Sequence, residues 1–234
     1  MKKVEENNKN IKQKILKILI PILAILAFLY VPAFIYLFLK YLKLNDIIAQ
    51  LIADFIYLVI IVFIFRKSLK KDLIDYKNNF NSYIKIGLKG WMVGIAIMII
   101  SNLILNIFIF KGNIAGNEEA IREMLYQYPI YIAISSIIFA PIAEEITFRK
   151  ILRNSINTKW VYILLSGFIF GFLHALTDIS TWLDLLYIIP YGALGSVFAY
   201  MNYKTDNIFT SIVIHFLHNF ITIVLLLSVA STVV

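Results

Sequence analysis

A chain of 234 residues that is 61% hydrophobic and only 15% charged does not fit a soluble globule. Its mean hydropathy of +0.82 fits a polytopic membrane protein. The formal charge of +8 is read as Lys and Arg concentrated in cytoplasmic loops, with no nucleic-acid partner implied, and the absence of Cys excludes disulfides, thiolate metal sites and cysteine nucleophiles.

Crossing a bilayer takes about 20 apolar residues. Stretches near 15–39, 45–65, 86–110, 129–152, 159–176, 182–202 and 207–231 meet or approach that length. The expected fold is therefore all-α and polytopic, with about seven (seven or eight) transmembrane helices. The basic N-terminus leads into an apolar run longer than the roughly 7–15 residues of a signal peptide's apolar region, so it reads as a retained first span. Residues 66–85 read as the one sizeable cytoplasmic connection, and 111–127 as an external loop or short surface helix. Loop charge sets the orientation. Lys2, Lys3, Lys9, Lys12, Lys14 and Lys17, the basic residues of 66–85, and Arg149, Lys150, Arg153, Lys159 and Lys204 share one side. Lys40, Lys43, Lys111 and Arg122 lie on the other, so the N-terminus is expected in the cytoplasm and the C-terminus outside. Heavy use of Ile, Lys and Asn suggests a bacterial cell membrane.

Strongly polar residues inside the spans cluster in the C-terminal half. Glu144 and Glu145 lie in the fourth span, His174 in the fifth, and His215, His218 and Asn219 in the seventh. Ionisable residues inside a membrane are costly and mark functional sites. The helical rise puts Glu144 roughly 15 Å from a cytoplasmic end near Asn154, with His174 roughly 22 Å and His215 roughly 12 Å from the starts of their spans. All three are thus expected in the middle third of the bilayer.

Facing divides the two glutamates. Residues four apart share a helix face, so Glu145 can pair with Arg149 while Glu144 turns toward another partner. Phe170 and His174 share a face, as do His215 and Asn219. Pro141 loosens the helix one turn before Glu144. Gly167 and Gly171 allow a close helix approach.

The three pieces Glu144-Glu145-Ile-Thr-Phe-Arg149, Phe170-Gly-Phe-Leu-His174 and His215-Phe-Leu-His-Asn219 resemble the motifs of the CPBP family. These are the CAAX proteases and bacteriocin-processing intramembrane peptidases, also called the Abi family. The resemblance covers about 129–223 and leaves the first three spans outside it. It divides the chain into 1–128, three spans plus an external loop, and 129–234, a catalytic core of four helices. Lys150 departs from the glycine usual in the family at that place.

The resemblance implies a membrane-embedded endopeptidase, and the residue types fit peptide hydrolysis independently. Glu144 serves as general base toward water, and His174 orients that water or shares its proton. His215 and Asn219 donate to the oxyanion, while Glu145, Arg149 and Phe170 give structural support. This scheme, the favoured one, needs no cofactor. A rival makes Glu144, His174 and His215 ligands of a Zn²⁺ ion, a known type of catalytic donor set, although no His-Glu-x-x-His motif is present. The expected substrate is a peptide or membrane-anchored protein, with lipid as the other partner. Its roles would be bacteriocin or signal-peptide maturation, self-immunity or CAAX-type processing.

Two readings from other classes stand beside the protease. One is a non-catalytic immunity or binding protein; the other is a proton-coupled transporter, against which the lack of an internal repeat weighs. His218 reads as structural. Asp54, near the middle of the second span, reads as hydrogen-bonded to Asn102 or Asn106 on the third, the preferred reading, or as lying near a water-filled entry. Trp91, Trp160, Trp182 and Tyr187 read as interfacial anchors.

Overall fold

The computed structural model describes residues 2–111, 116–177, 179 and 181–230. The chain runs as α1 (Lys2–Tyr41), α2 (Asp46–Asn78), α3 (Phe80–Phe110), α4 (Gly116–Gln127), α5 (Pro129–Ser155), α6 (Lys159–Ala175), α7 (Trp182–Thr205) and α8 (Ile208–Ala230). Among the described residues there is no strand. Six of these helices are long and apolar enough to cross a membrane, and α6 is a shorter apolar helix of 17 residues. The protein is an all-α integral membrane protein.

Helix boundaries follow local chemistry. The chain leaves α1 with Lys43 in the left-handed conformation, φ 63°, and the Asn45 side chain then accepts the Ile47 amide at 3.0 Å to cap α2. The 33 residues of α2 span about 50 Å, well beyond a hydrocarbon core of about 30 Å. The expected connection over 66–85 is therefore not a loop: α2 continues to Asn78 and α3 begins at Phe80. The apolar run stops at Arg66, but amphipathic spacing carries the helix on, burying Leu69 and Tyr76. Tyr76 packs edge-on against Phe80, at 5.8 Å between centroids. The stretch 111–127 contains a surface helix, α4, while 112–115 lie outside the described residues.

Small residues set the tightest crossing. A Cβ on Gly171 would come within 2.6 Å of the Gly192 nitrogen and of the Ile188 carbonyl, and one on Gly167 within 2.7 Å of the Gly192 carbonyl. Helices α6 and α7 thus touch backbone to backbone, the small-residue packing that membranes favour. Helix α8 runs through the middle of the bundle. Ile208 and Ile212 join a core with Tyr57, Leu58 and Ile61 of α2 and Ile146 and Ile151 of α5. Ile214 packs with Leu194, Phe198 and Met201 of α7, and Ile223 with Leu125 of α4 and Ile132 of α5.

Polar bonds tie the chain halves together. Lys150 Nζ pairs with Asp72 Oδ2 at 2.5 Å, which pins the end of α5 to the extension of α2. Asn207 Nδ2 donates to the Asp72 carbonyl and to Asp75 Oδ2, both at 2.7 Å.

Three expectations are revised. Asp54 bonds neither Asn102 nor Asn106; its carboxylate accepts from Tyr131 Oη (3.2 Å) and Ser135 Oγ (3.3 Å) of α5 and from Gln50 Nε2 (2.9 Å). Trp91 is half-buried in the α3–α7–α8 core, where its indole donates toward His218 Nδ1 at 3.4 Å. Tyr187 is buried and stacks on Phe110 at 4.6 Å. An aromatic ring with a polar tip suits a buried hydrogen-bond partner as well as an interface. Trp160 and Trp182 are exposed.

Candidate active site

Helix α5 is irregular on both sides of the glutamate pair. Ser135–Phe139 and Ile146–Ile151 are π-helical and flank the α-helical turn Ala140–Glu145. Single π turns recur at functional sites. The first has a local cause. Pro141 has no amide hydrogen, and its ring would clash with a carbonyl one turn back, a conflict that a widened turn relieves. In the i→i+5 register Ala140 donates to the Ser135 carbonyl. The next pair would be Ser136 carbonyl with residue 141, where the donor is missing. Asn219 Nδ2 of α8 donates to that Ser136 carbonyl at 2.7 Å. Around the second turn, Ser166 Oγ donates to the Phe148 carbonyl at 2.6 Å and Thr147 Oγ1 to the Ala143 carbonyl at 2.8 Å.

The paired charges sit between these turns. Glu145 and Arg149 are both fully buried and form an ion pair of 3.0 Å. The guanidinium also donates to the Gly195 carbonyl at 3.1 Å and lies 4.5 Å over the Phe170 ring. Buried charges persist only when paired and hydrogen-bonded, and this arginine has all three kinds of support. Glu145 has a further partner, since its Oε1 meets His215 Nδ1 at 3.0 Å.

His215 lies between the two glutamates. A carboxylate only accepts, so Nδ1 carries the hydrogen toward Glu145 and Nε2 faces Glu144 Oε2 at 3.8 Å. The Glu144 oxygen on that side is buried with no protein hydrogen bond. The ring is fixed by near-parallel stacking on Phe198 at 4.7 Å and by the edge of Phe170 at 5.9 Å. His174 belongs to the last turn of α6, nearer a helix end than the rise from Lys159 suggests, because α6 stops at Ala175. Its Nδ1 contacts the Phe170 carbonyl at 2.8 Å, which makes Nδ1 the protonated nitrogen and leaves Nε2 to accept. Its ring packs on Phe170 at 4.1 Å, the same phenyl ring that meets His215 at 5.9 Å.

The structure therefore gathers Glu144, Glu145, Arg149, His215 and Phe170 into contact, with His174 packed on the Phe170 ring and Asn219 reaching the same helix at Ser136. His218 turns to Trp91. Among the described residues no three His, Asp or Glu side chains stand grouped as a metal site; Nδ1 of both His215 and His174 is engaged, which leaves Nε2 of each ring as its available nitrogen. Sequence reasoning missed Phe198, the Gly195 carbonyl and the Ser136 carbonyl. The first looks like any apolar core residue, and backbone carbonyls leave no mark in a sequence.

The segment that carries these side chains resembles known proteins. Residues 126–221 match the family described as type II CAAX prenyl endopeptidase Rce1-like. The "Putative membrane peptidase YdiL" of Bacillus subtilis (strain 168) is 27% identical over 181 residues, 74% of this chain and 70% of that protein. The UPF0177 protein YxdF of Lactococcus lactis subsp. lactis (strain IL1403) is 27% identical over 130 residues, 53% of this chain and 70% of that one. No solved structure matches. Residues 126–221, which hold all three motifs and the buried Glu145–Arg149 pair, are the part of the chain that resembles the Rce1-like endopeptidase family.

Proposed function

We propose that the protein is an intramembrane endopeptidase that hydrolyses a peptide bond of a membrane-associated protein or peptide, with Glu144 as base. One observation carries this reading: a buried glutamate oxygen without a protein hydrogen bond faces a histidine nitrogen whose ring is locked from behind by Glu145. A water beside Glu144 Oε2 and His215 Nε2 loses a proton to Glu144, and its oxygen attacks the substrate carbonyl carbon. His174 accepts from the same water through Nε2 and orients it. His215, as imidazolium, donates from Nε2 to the oxyanion. The second hydrogen of Asn219 Nδ2 supplies the other donor. Glu144 then returns the proton to the leaving amine as the C–N bond breaks. No metal enters this scheme.

Charge in the flanking regions supports a cytoplasmic N-terminus, and the heavy use of Ile, Lys and Asn supports a bacterial cell membrane. Bacteriocin or signal-peptide maturation, self-immunity and CAAX-type processing remain the roles that fit such a peptidase.

The experiment is cleavage of a defined peptide library by purified full-length protein in nanodiscs, with new termini read by mass spectrometry. Wild type is expected to cut a subset of peptides, Glu144→Gln to cut none, and strong chelation to leave the rate unchanged. Equal cleavage by Glu144→Gln overturns the reading, and loss of cleavage on chelation overturns its metal-free form.

A further inference from the structure

Asp54 is an intramembrane carboxylate that the proposed chemistry does not use, and it lies outside the segment that matches the family. A charge at that depth is costly unless it meets partners. All the partners described above are hydrogen-bond donors: Gln50 one turn earlier on α2, and Tyr131 and Ser135 across the interface on α5. Ser135 is the first residue of the π turn before the glutamates.

That position matters because a π turn sets the rotation of everything after it. Inserting one residue into a helix turns the following side chains by about 100° about the axis. If the turn at Ser135–Phe139 relaxed to α geometry, Glu144 would swing away from His215 and a neighbouring residue would take its place. The turn is held at adjacent residues from opposite sides: Asp54 of α2 takes the Ser135 hydroxyl, and Asn219 of α8 donates to the Ser136 carbonyl. The Tyr131 hydroxyl adds a second bond from Asp54 to the preceding helical turn.

We infer that Asp54 is a positioning residue, clamping the π turn through Tyr131 and Ser135 so that Glu144 faces His215. It acts through the register of α5 and not on the reacting atoms. The inference rests on Glu144 being the catalytic base, and its test separates the two. Full-length wild type, Asp54→Ala, Asp54→Asn, Tyr131→Phe/Ser135→Ala and Glu144→Gln are compared in nanodiscs on the library peptide that wild type cuts fastest. In parallel, ¹⁵N spectra of the imidazoles are recorded; the chain has 3 His, and His215→Gln assigns the signal.

Asp54→Ala and the double variant are expected to lose about 10- to 100-fold in kcat, the scale set by misplacing a reacting group. KM should stay within about twofold on the same argument, because no contact to substrate is removed. Both should shift the His215 signal, and Asp54→Asn, whose amide oxygen still accepts, should recover most of the rate. An unshifted His215 signal in both Asp54→Ala and the double variant overturns the inference whatever the activity. So does a loss confined to KM. If Asp54→Ala fails to fold, the double variant decides alone: an unchanged rate and an unshifted signal overturn the inference. A full rate in Glu144→Gln beside a shifted His215 signal in the clamp variants overturns only the peptidase reading.

Discussion

The buried Arg149 shows how much of this site is scaffold rather than reagent. Its guanidinium meets Glu145, the Gly195 carbonyl and the Phe170 face, all away from water. Removing it leaves Glu145 as an uncompensated buried charge, a loss of about 3–5 kcal/mol. Arg149→Ala should therefore lower the unfolding midpoint in detergent sharply. Glu144→Gln, at a side chain that is 13% exposed and makes no buried ion pair closer than 3.8 Å, should leave that midpoint nearly unchanged. Adjacent glutamates then separate experimentally into one that holds the fold and one that is expected to do chemistry. If both substitutions destabilised equally, that division of labour would be wrong.

At the scale of elements, the α6–α7 contact is the most constrained. The backbone of α7 occupies the space where Gly171 would carry a Cβ, so no flexible side chain can yield. Overpacking of this kind typically costs about 1–3 kcal/mol. Gly171→Ala should lower the unfolding midpoint and also the rate, since α6 carries His174 and sets Phe170 against His215. Gly195 is a milder case, because its added Cβ would meet the Phe170 ring rather than backbone. A thermal shift smaller for Gly195→Ala than for Gly171→Ala is the expected order.

For the whole molecule, the open question with a direct measurement is sidedness. The native chain contains no Cys, so single cysteines can be introduced without altering any other position. With the N-terminus inside, Lys71→Cys on the α2 extension should react with a membrane-impermeant thiol reagent only after cells are opened. Glu119→Cys on α4 should react in intact cells. The reverse pattern would invert the topology without disturbing the site.

Bilayer thickness imposes a length on every span, and length is a one-dimensional property. That is why hydropathy alone located the spans that became α1–α3 and α5–α8, and why the i,i+4 rule alone paired Glu145 with Arg149. The α2 extension escaped because its buried face is narrow and its charges dominate a running average. Rotation and neighbours are another matter, since many rotations bury the same apolar area. Only close packing at Gly171 and Gly192, and the demand that each buried polar group find a partner, select among them. Tertiary structure therefore decided that Asp54 meets α5 rather than α3, that His218 turns to Trp91, and that Pro141 is accommodated by a π turn held by Asn219. It also placed His215 between Glu144 and Glu145. The sequence by itself determined which polar residues are carried into the membrane; the packing of the helices around α8 determined which of them meet.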